Sequence, residues 1–287
     1  MQHFSGICFS KPAHRKPTFF IPRARKKHDY GGAAAYIGES MYEKTEGIVL
    51  RETEYKDSDK LLTVLTKDFG KITVKARGVK SNRSRSKAAS QILTFSELNL
   101  YEQQGRYTLR ESVVREMFPE LREDIELLSL ASYFVQLTET VAQENDPMPE
   151  LLSLLLNALY ALSKLKKPQS MVKAVFELRL ACIAGFMPDL QACTVCGREE
   201  AEHFNISQGV LQCASCRSDG PDGIRLPISS ATRQALLYIT TCDAKRLFSF
   251  SLSEENMLQL SQVTEGYLML RLERGFYTLD FYKSLFI

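Results

Sequence analysis

The chain has 287 residues, 44% of them apolar and 25% charged, a balance that fits an ordinary folded protein and excludes a disordered or fibrous one. No apolar run approaches the roughly 18 residues needed to span a bilayer. The net charge is +3, yet residues 1–40 alone carry Lys11, Arg15, Lys16, Arg23, Arg25, Lys26 and Lys27 against Asp29 and Glu39, so the remainder is slightly acidic and can grip a polyanion only through a local patch.

Residues 1–40 read as a basic leader with Pro12, Pro17 and Pro22 and little periodicity. A secretory signal does not fit, because no apolar core follows the basic part. A transit peptide fits the scarcity of acids but not the serine content. The favoured expectation is a native chain that starts at Met41, and a disordered basic arm comes next.

From 41 to 118 the apolar period is near two, with turn signals between short runs. Strands are expected at Thr45–Leu50, with Gly47 as a bulge, and at Leu61–Thr66, Lys71–Ala76, Gln91–Tyr101 and Arg106–Val114. Five strands in so short a span suit a small Greek-key barrel such as an OB-fold, and an SH3-like barrel has the same outline. From the start of the third strand runs a stretch with no acid in it, holding Lys71, Lys75, Arg77, Lys80, Arg83, Arg85 and Lys87. Gly78 and the interleaved serines leave it free to follow an irregular phosphate backbone. Seven phosphate contacts would give a salt slope of about −5 to −6 on duplex. Arg51 and Lys60 extend the patch along neighbouring strands. A solvated basic loop without function is the bland alternative. Tyr101 and Tyr107 are read first as barrel core and second as surfaces for stacking bases.

After Pro119 the period becomes 3.6. One helix has the face Leu121, Ile125, Leu128, Ser132 and Val135, and a second runs from Leu151 to Leu162. A third, Met171–Phe186, is apolar on several sides and therefore central. Beyond the segment 191–224 the helical pattern returns over 225–287. Ser230 is expected to cap a helix reaching Phe248, and Ser251 with Glu254 to box the start of a last long helix. The aromatic end, Phe276 to Phe286, is too apolar to hang loose. It packs on the bundle or serves a partner.

The interrupting segment 191–224 contains Cys193-Thr-Val-Cys196 and Cys213-Ala-Ser-Cys216. Two C-x-x-C pairs at this separation have the spacing of a four-thiolate zinc site, each sulfur about 2.3 Å from the metal. Four thiolates close the coordination shell, so the site is structural. Disulfides or unrelated thiols are the alternative, and nothing else in the chain looks secreted. Cys8, Cys182 and Cys242 show no pairing pattern, which suits a reducing cytosol.

Motifs for catalysis are missing. His3, His14 and His28 lie in the leader and His203 stands alone in the cysteine segment. There is no phosphate-binding G-x-x-x-x-G-K-[ST] loop, no G-x-S-x-G and no H-E-x-x-H. The chain reads as a binding module without an active site.

Taken together, Lys44-Thr-Glu-Gly-Ile-Val-Leu-Arg51, Tyr55-Lys-Asp-Ser-Asp-Lys-Leu-Leu62, Phe69-Gly-Lys-Ile-Thr-Val74, the Ala76-Arg-Gly78 turn and the Cys193–Cys216 loop resemble the bacterial RecO family of recombination mediators. The resemblance covers 41–287. It implies an α+β multidomain chain, with an N-terminal five-stranded OB-fold barrel at 41–118 that binds DNA, a helical bundle at 119–190 and 225–287, and an inserted four-cysteine zinc ribbon at 191–224. It implies one structural Zn2+, binding of single- and double-stranded DNA, strand annealing, and a cytoplasmic, nucleoid-associated location. The implied partners are RecR, single-strand-binding protein and, indirectly, the RecA recombinase. Without the resemblance, a zinc-containing adaptor for RNA or an acidic protein fits the same residues.

Overall fold

A computed structural model describes residues 41–216 and 222–286. The expectation about residues 1–40 lies outside them.

The alternating segments form five strands: β1 Met41–Tyr55, β2 Asp59–Thr66, β3 Gly70–Ala76, β4 Phe95–Gln103 and β5 Arg106–Glu116. They close into a barrel in the order β1-β2-β3-β5-β4, with β4 pairing back onto β1. Closure between β3 and β5 is the short parallel contact Val74↔Tyr107 and Lys75↔Thr108. Alternation sends Val49, Leu62, Val64, Ile72, Val74, Leu98, Leu100 and Leu109 into the barrel interior. The opposite faces of β1 and β2 are also apolar. Ile48, Leu50 and Leu65 pack with Leu93, Phe118 and the helices.

The bulge in β1 falls between Val49 and Arg51 rather than at Gly47. Gly47 serves a different need: a side chain there would meet Leu65 O and Val64 Cγ1 at 2.9 Å, so the glycine permits close approach of β2.

A 3-10 turn, Pro119–Arg122, leads into six helices: α1 Ile125–Val141, α2 Pro149–Ser163, α3 Gln169–Ile183, α4 Ser230–Thr241, α5 Glu254–Leu272 and α6 Tyr277–Ser284. Asp124 caps α1 by accepting from the backbone N–H of Glu126 and Leu127. The buried face of α1 is Leu130, Tyr133, Phe134 and Leu137, while Ile125 is 57% exposed. The expected stripe is rotated because α1 is covered by several helices rather than one. The caps of α4 and α5 are Ser229 and Ser253, not Ser230 and Ser251. The chain leaves α4 at Thr241, and a 3-10 turn at Ala244–Arg246 follows. The aromatic end folds back as α6, with Phe276, Leu279 and Tyr282 buried.

Between α3 and α4 sits a small sheet of β6 Asp189–Cys193, β7 His203–Asn205, β8 Val210–Gln212 and β9 Arg225–Pro227, ordered β6-β8-β7-β9. Phe204 from this sheet packs edge-on against Tyr267 of α5, with centroids 5.5 Å apart.

Apolar periodicity gave no hint of the charge at the bundle centre. Lys173 Nζ lies 2.8 Å from both Glu177 and Glu265. Tyr133 donates to Glu177 Oε1 at 2.9 Å and Thr264 to Oε2 at 3.0 Å. Burial pushes the Glu177 carboxyl up against the pull of Lys173. At Glu265 burial also pushes upward, but Lys173 and Lys283 together hold the group below its usual value. The cluster joins α1, α3, α5 and α6 through directional contacts.

Barrel and helices meet at the start of β3. Lys71 N donates to Gln143 O at 3.2 Å, and Asn145 N donates back to Lys71 O at 3.1 Å. Gly70 has φ of +65°, and a Cβ there would fall 2.0 Å from Asp146 O. We predict that Gly70→Ala costs roughly 3 kcal/mol or more in thermal or urea unfolding, through strain plus clash. Gly78→Ala, at φ +64° in open space, should cost only about 1 kcal/mol. Equal losses would refute the seam.

Candidate nucleic-acid interface and metal centre

The barrel cations fall into two groups. Some are engaged by carboxylates. Lys60 pairs with Glu52 at 3.0 Å, Lys75 with Asp59 at 3.3 Å, and Lys80 with Glu54 at 3.1 Å. Arg51 reaches Glu139 of α1 at 2.9 Å, and Lys71 Nζ donates to the Glu139 carbonyl at 3.1 Å. Arg51 and Lys71 thus sit at the seam with the helices. Asp59 also accepts from Gly78 N at 2.9 Å. That bond, with Lys75 beside it, holds the carboxyl below its usual value and ties down the root of the basic loop.

The second group is exposed and has no acid partner among the described residues: Arg77, Arg83, Arg85 and Lys87. Lys87 Nζ donates to Asn82 at 2.6 Å, and Ser86 meets Ser112 of β5 at 3.0 Å, so the loop lies along β5. Two arginines that the loop-centred reading missed, Arg106 and Arg110, project from β5. Their spacing with Thr108 is the outward alternation of a half-buried strand, and that signal was available in the sequence.

Arg77, Arg106 and Arg110 border an open groove of about 720 Å³, which Tyr55, Lys75 and Tyr101 also line. The turn Gln103–Gly105 forms one rim. Tyr107 is half-buried, packs on Phe69 at 5.8 Å and so belongs partly to the barrel core. Burial raises its phenol pKa. Tyr101 is half-buried and faces the groove.

The four cysteines converge. Their sulfurs all lie within 4.8 Å of one another, and Cys196 and Cys213 are 3.7 Å apart. A tetrahedron with 2.3 Å metal–sulfur bonds has an edge of about 3.8 Å, so the donor set fits Zn2+. Backbone bonds shape both turns: Gly197 N donates to Cys193 O at 2.9 Å and Cys216 N to Cys213 O at 3.2 Å. A hydrogen bond from Ser215 pulls the Cys213 thiol down to about 6, and the adjoining Cys196 and Cys213 sulfurs push Cys216 up to about 12. Crowded sulfurs resist losing every proton until a cation offsets their charge. His203 faces Gln212 across the sheet and is not in the thiol cluster.

Cys196 is exposed, so serine there perturbs metal binding with little effect on packing. Cys196→Ser should release zinc and lower Tm on the order of 5 °C or more, matched by a chelator on the wild type. An unchanged Tm with no metal bound would remove the structural role.

Two family models match the chain. The one described as Recombination protein O N terminal covers residues 41–118, and Recombination protein O C terminal covers 122–280. The DNA repair protein RecO of Acetivibrio thermocellus is 34% identical over 246 residues, spanning 85% of this chain and 97% of that one. The protein of the same name from Caldicellulosiruptor bescii is 31% identical over 242 residues, spanning 84% and 97%. That of Bacillus subtilis is 31% identical over 228 residues, spanning 79% and 88%.

Proposed function

The chain belongs to the RecO (Recombination protein O) family, and from that premise we propose that it is a non-catalytic recombination mediator in DNA repair. In this reading 41–118 is an OB-fold that binds single- and double-stranded DNA, supported by the strand order β1-β2-β3-β5-β4. Residues 119–190 and 225–287 form the helical domain, and 191–224 is a zinc ribbon that braces it. The protein anneals complementary strands. It works with RecR and single-strand-binding protein so that RecA loads onto the single strand.

The observation that carries the reading is the set of guanidinium groups left without acids. Arg77, Arg83 and Arg85 on the loop, with Arg106 and Arg110 beside the groove, face solvent on a chain whose remaining barrel cations are mostly neutralised. Two polynucleotides repel until their phosphates are screened. A strand laid along these arginines releases its counterions and is held extended, and a second strand then approaches against less charge. Base pairing supplies the free energy, so no nucleotide hydrolysis is needed. The ion-paired Lys60, Lys75 and Lys80 exchange intramolecular acids for phosphates only at a cost, and they rank below the free arginines.

Reversing Arg83, Arg85 and Lys87 to Glu should reduce the magnitude of the log–log salt slope of DNA binding by roughly 2–3 and slow annealing of complementary oligonucleotides. Lys71→Ala should act on Tm far more than on affinity. If the triple variant anneals like the wild type, the loop leaves the mechanism. A wild-type chain that captures RNA or an acidic peptide but fails to anneal DNA would favour the adaptor reading.

A further inference from the structure

Charge explains attachment to any polyanion, but the groove also carries flat surfaces that a phosphate contact does not use. Tyr55 is 38% exposed at one wall, with Lys75 Nζ at 5.1 Å and Lys56 Nζ at 5.6 Å from its ring centroid. At the other wall the Arg110 guanidinium lies over the Tyr101 ring, 4.7 Å from its centroid. Tyr42 of β1 stands edge-on to Tyr101 at 5.5 Å and is itself 72% exposed. Arg110 borders both the groove and a second hollow beside Tyr42 and Lys44, so the two adjoin at this side chain.

Tyr42 and Tyr101 are cross-strand partners, a pairing that contributes modestly to the sheet but leaves most of Tyr42 in solvent. Tyr42 buries little, and β1 keeps its register through backbone pairing with β4. A guanidinium resting on a ring makes a planar, cationic plate, and nucleobases stack on such plates and on aromatic faces. Bases inside a duplex already have both faces covered by neighbours. Only an unpaired strand can offer bases here while its phosphates reach the nearby cations.

We propose that Tyr55, the Arg110–Tyr101 plate and Tyr42 form a stacking track for unpaired bases, which gives the barrel face a preference for single-stranded over double-stranded DNA. The inference rests on the DNA-binding reading above and divides the labour within it. The arginine loop holds phosphates of either form, and the track selects strands whose bases are free.

The test measures binding by the full chain to three labelled ligands across a salt series: oligothymidylate, an abasic strand of the same length, and a duplex. Tyr42→Ala and Tyr55→Ala should each weaken oligothymidylate binding on the order of tenfold, with the salt slope unchanged. Binding to the abasic strand and to duplex should stay within about twofold of wild type. Arg110→Lys keeps the charge and loses the plane, so it should behave like the tyrosine variants. Tyr42→Phe and Tyr55→Phe keep the rings and should restore binding. Losses that are equal on all three ligands, or no loss on oligothymidylate, would overturn the track while leaving the charge-based reading intact. A wild-type chain that binds none of the three would overturn the DNA-binding reading itself, and the track with it.

Discussion

The surface chemistry of this protein depends on how its acids are shared among its cations. Beyond residue 40 the chain is slightly acidic, so each basic side chain competes for water, a carboxylate or an external anion. Glu52, Asp59, Glu54 and Glu139 take Lys60, Lys75, Lys80 and Arg51. Among the described barrel residues, the cations left without an acid include five arginines, Arg77, Arg83, Arg85, Arg106 and Arg110, displayed on one loop and one strand. Exposed ion pairs are individually weak. Their effect is selective rather than stabilising: they silence some positive charges and leave others to set the field. Arginine suits the free positions, because its fork binds phosphate in two places and its plane stacks.

Local physics made much of this legible from sequence. Period-two alternation gave five strands near their true places, and the C-x-x-C spacing gave a cluster whose sulfurs converge. Both signals act over a few residues, where side-chain direction follows backbone geometry directly. Features that depend on distant segments meeting were not legible. Arg51 and Lys71 look like members of the basic patch until α1 brings Glu139 against them. Lys173 and Glu177, four apart on an apolar helix, look like an ordinary surface pair. They are buried because α5 and α6 arrive with Glu265 and Lys283. Arg106 and Arg110 are a different failure. Their alternation was visible, but the run of cations in the loop is the louder signal and masks β5.

The helical body combines two ways of specifying a structure. Its apolar packing, with Phe134 stacked on Phe176 at 4.2 Å, supplies area but little direction. The Lys173–Glu177–Glu265 cluster and the thiol cluster supply direction. A buried ion triad adds little net stability over apolar residues of the same size, yet removing one member strands a charge in a dry interior. Helix pairings that would leave Lys173 unpaired are therefore penalised. The cysteine segment has the same logic at its own scale. It is long and its strands are short, and a metal ion on the four converging cysteines would restrain it where a small sheet cannot.

Strand β3 joins these parts mechanically. Its first residues, Gly70 and Lys71, are stitched to the turn after α1, and its last, Lys75 and Ala76, lead into Arg77 at the groove. A strand of this length spans roughly 20 Å, and it is stiff because it is hydrogen-bonded to β2 along its length. The groove is therefore not an appendage on a flexible barrel. Its orientation is set by the helical body through one continuous strand, and the close fit of Gly70 against Asp146 allows that strand little freedom to slide. A nucleic acid bound at the arginines would be held in a fixed relation to the helices. On the proposed reading, that fixed relation is what a protein would need in order to present a strand to others without altering it covalently.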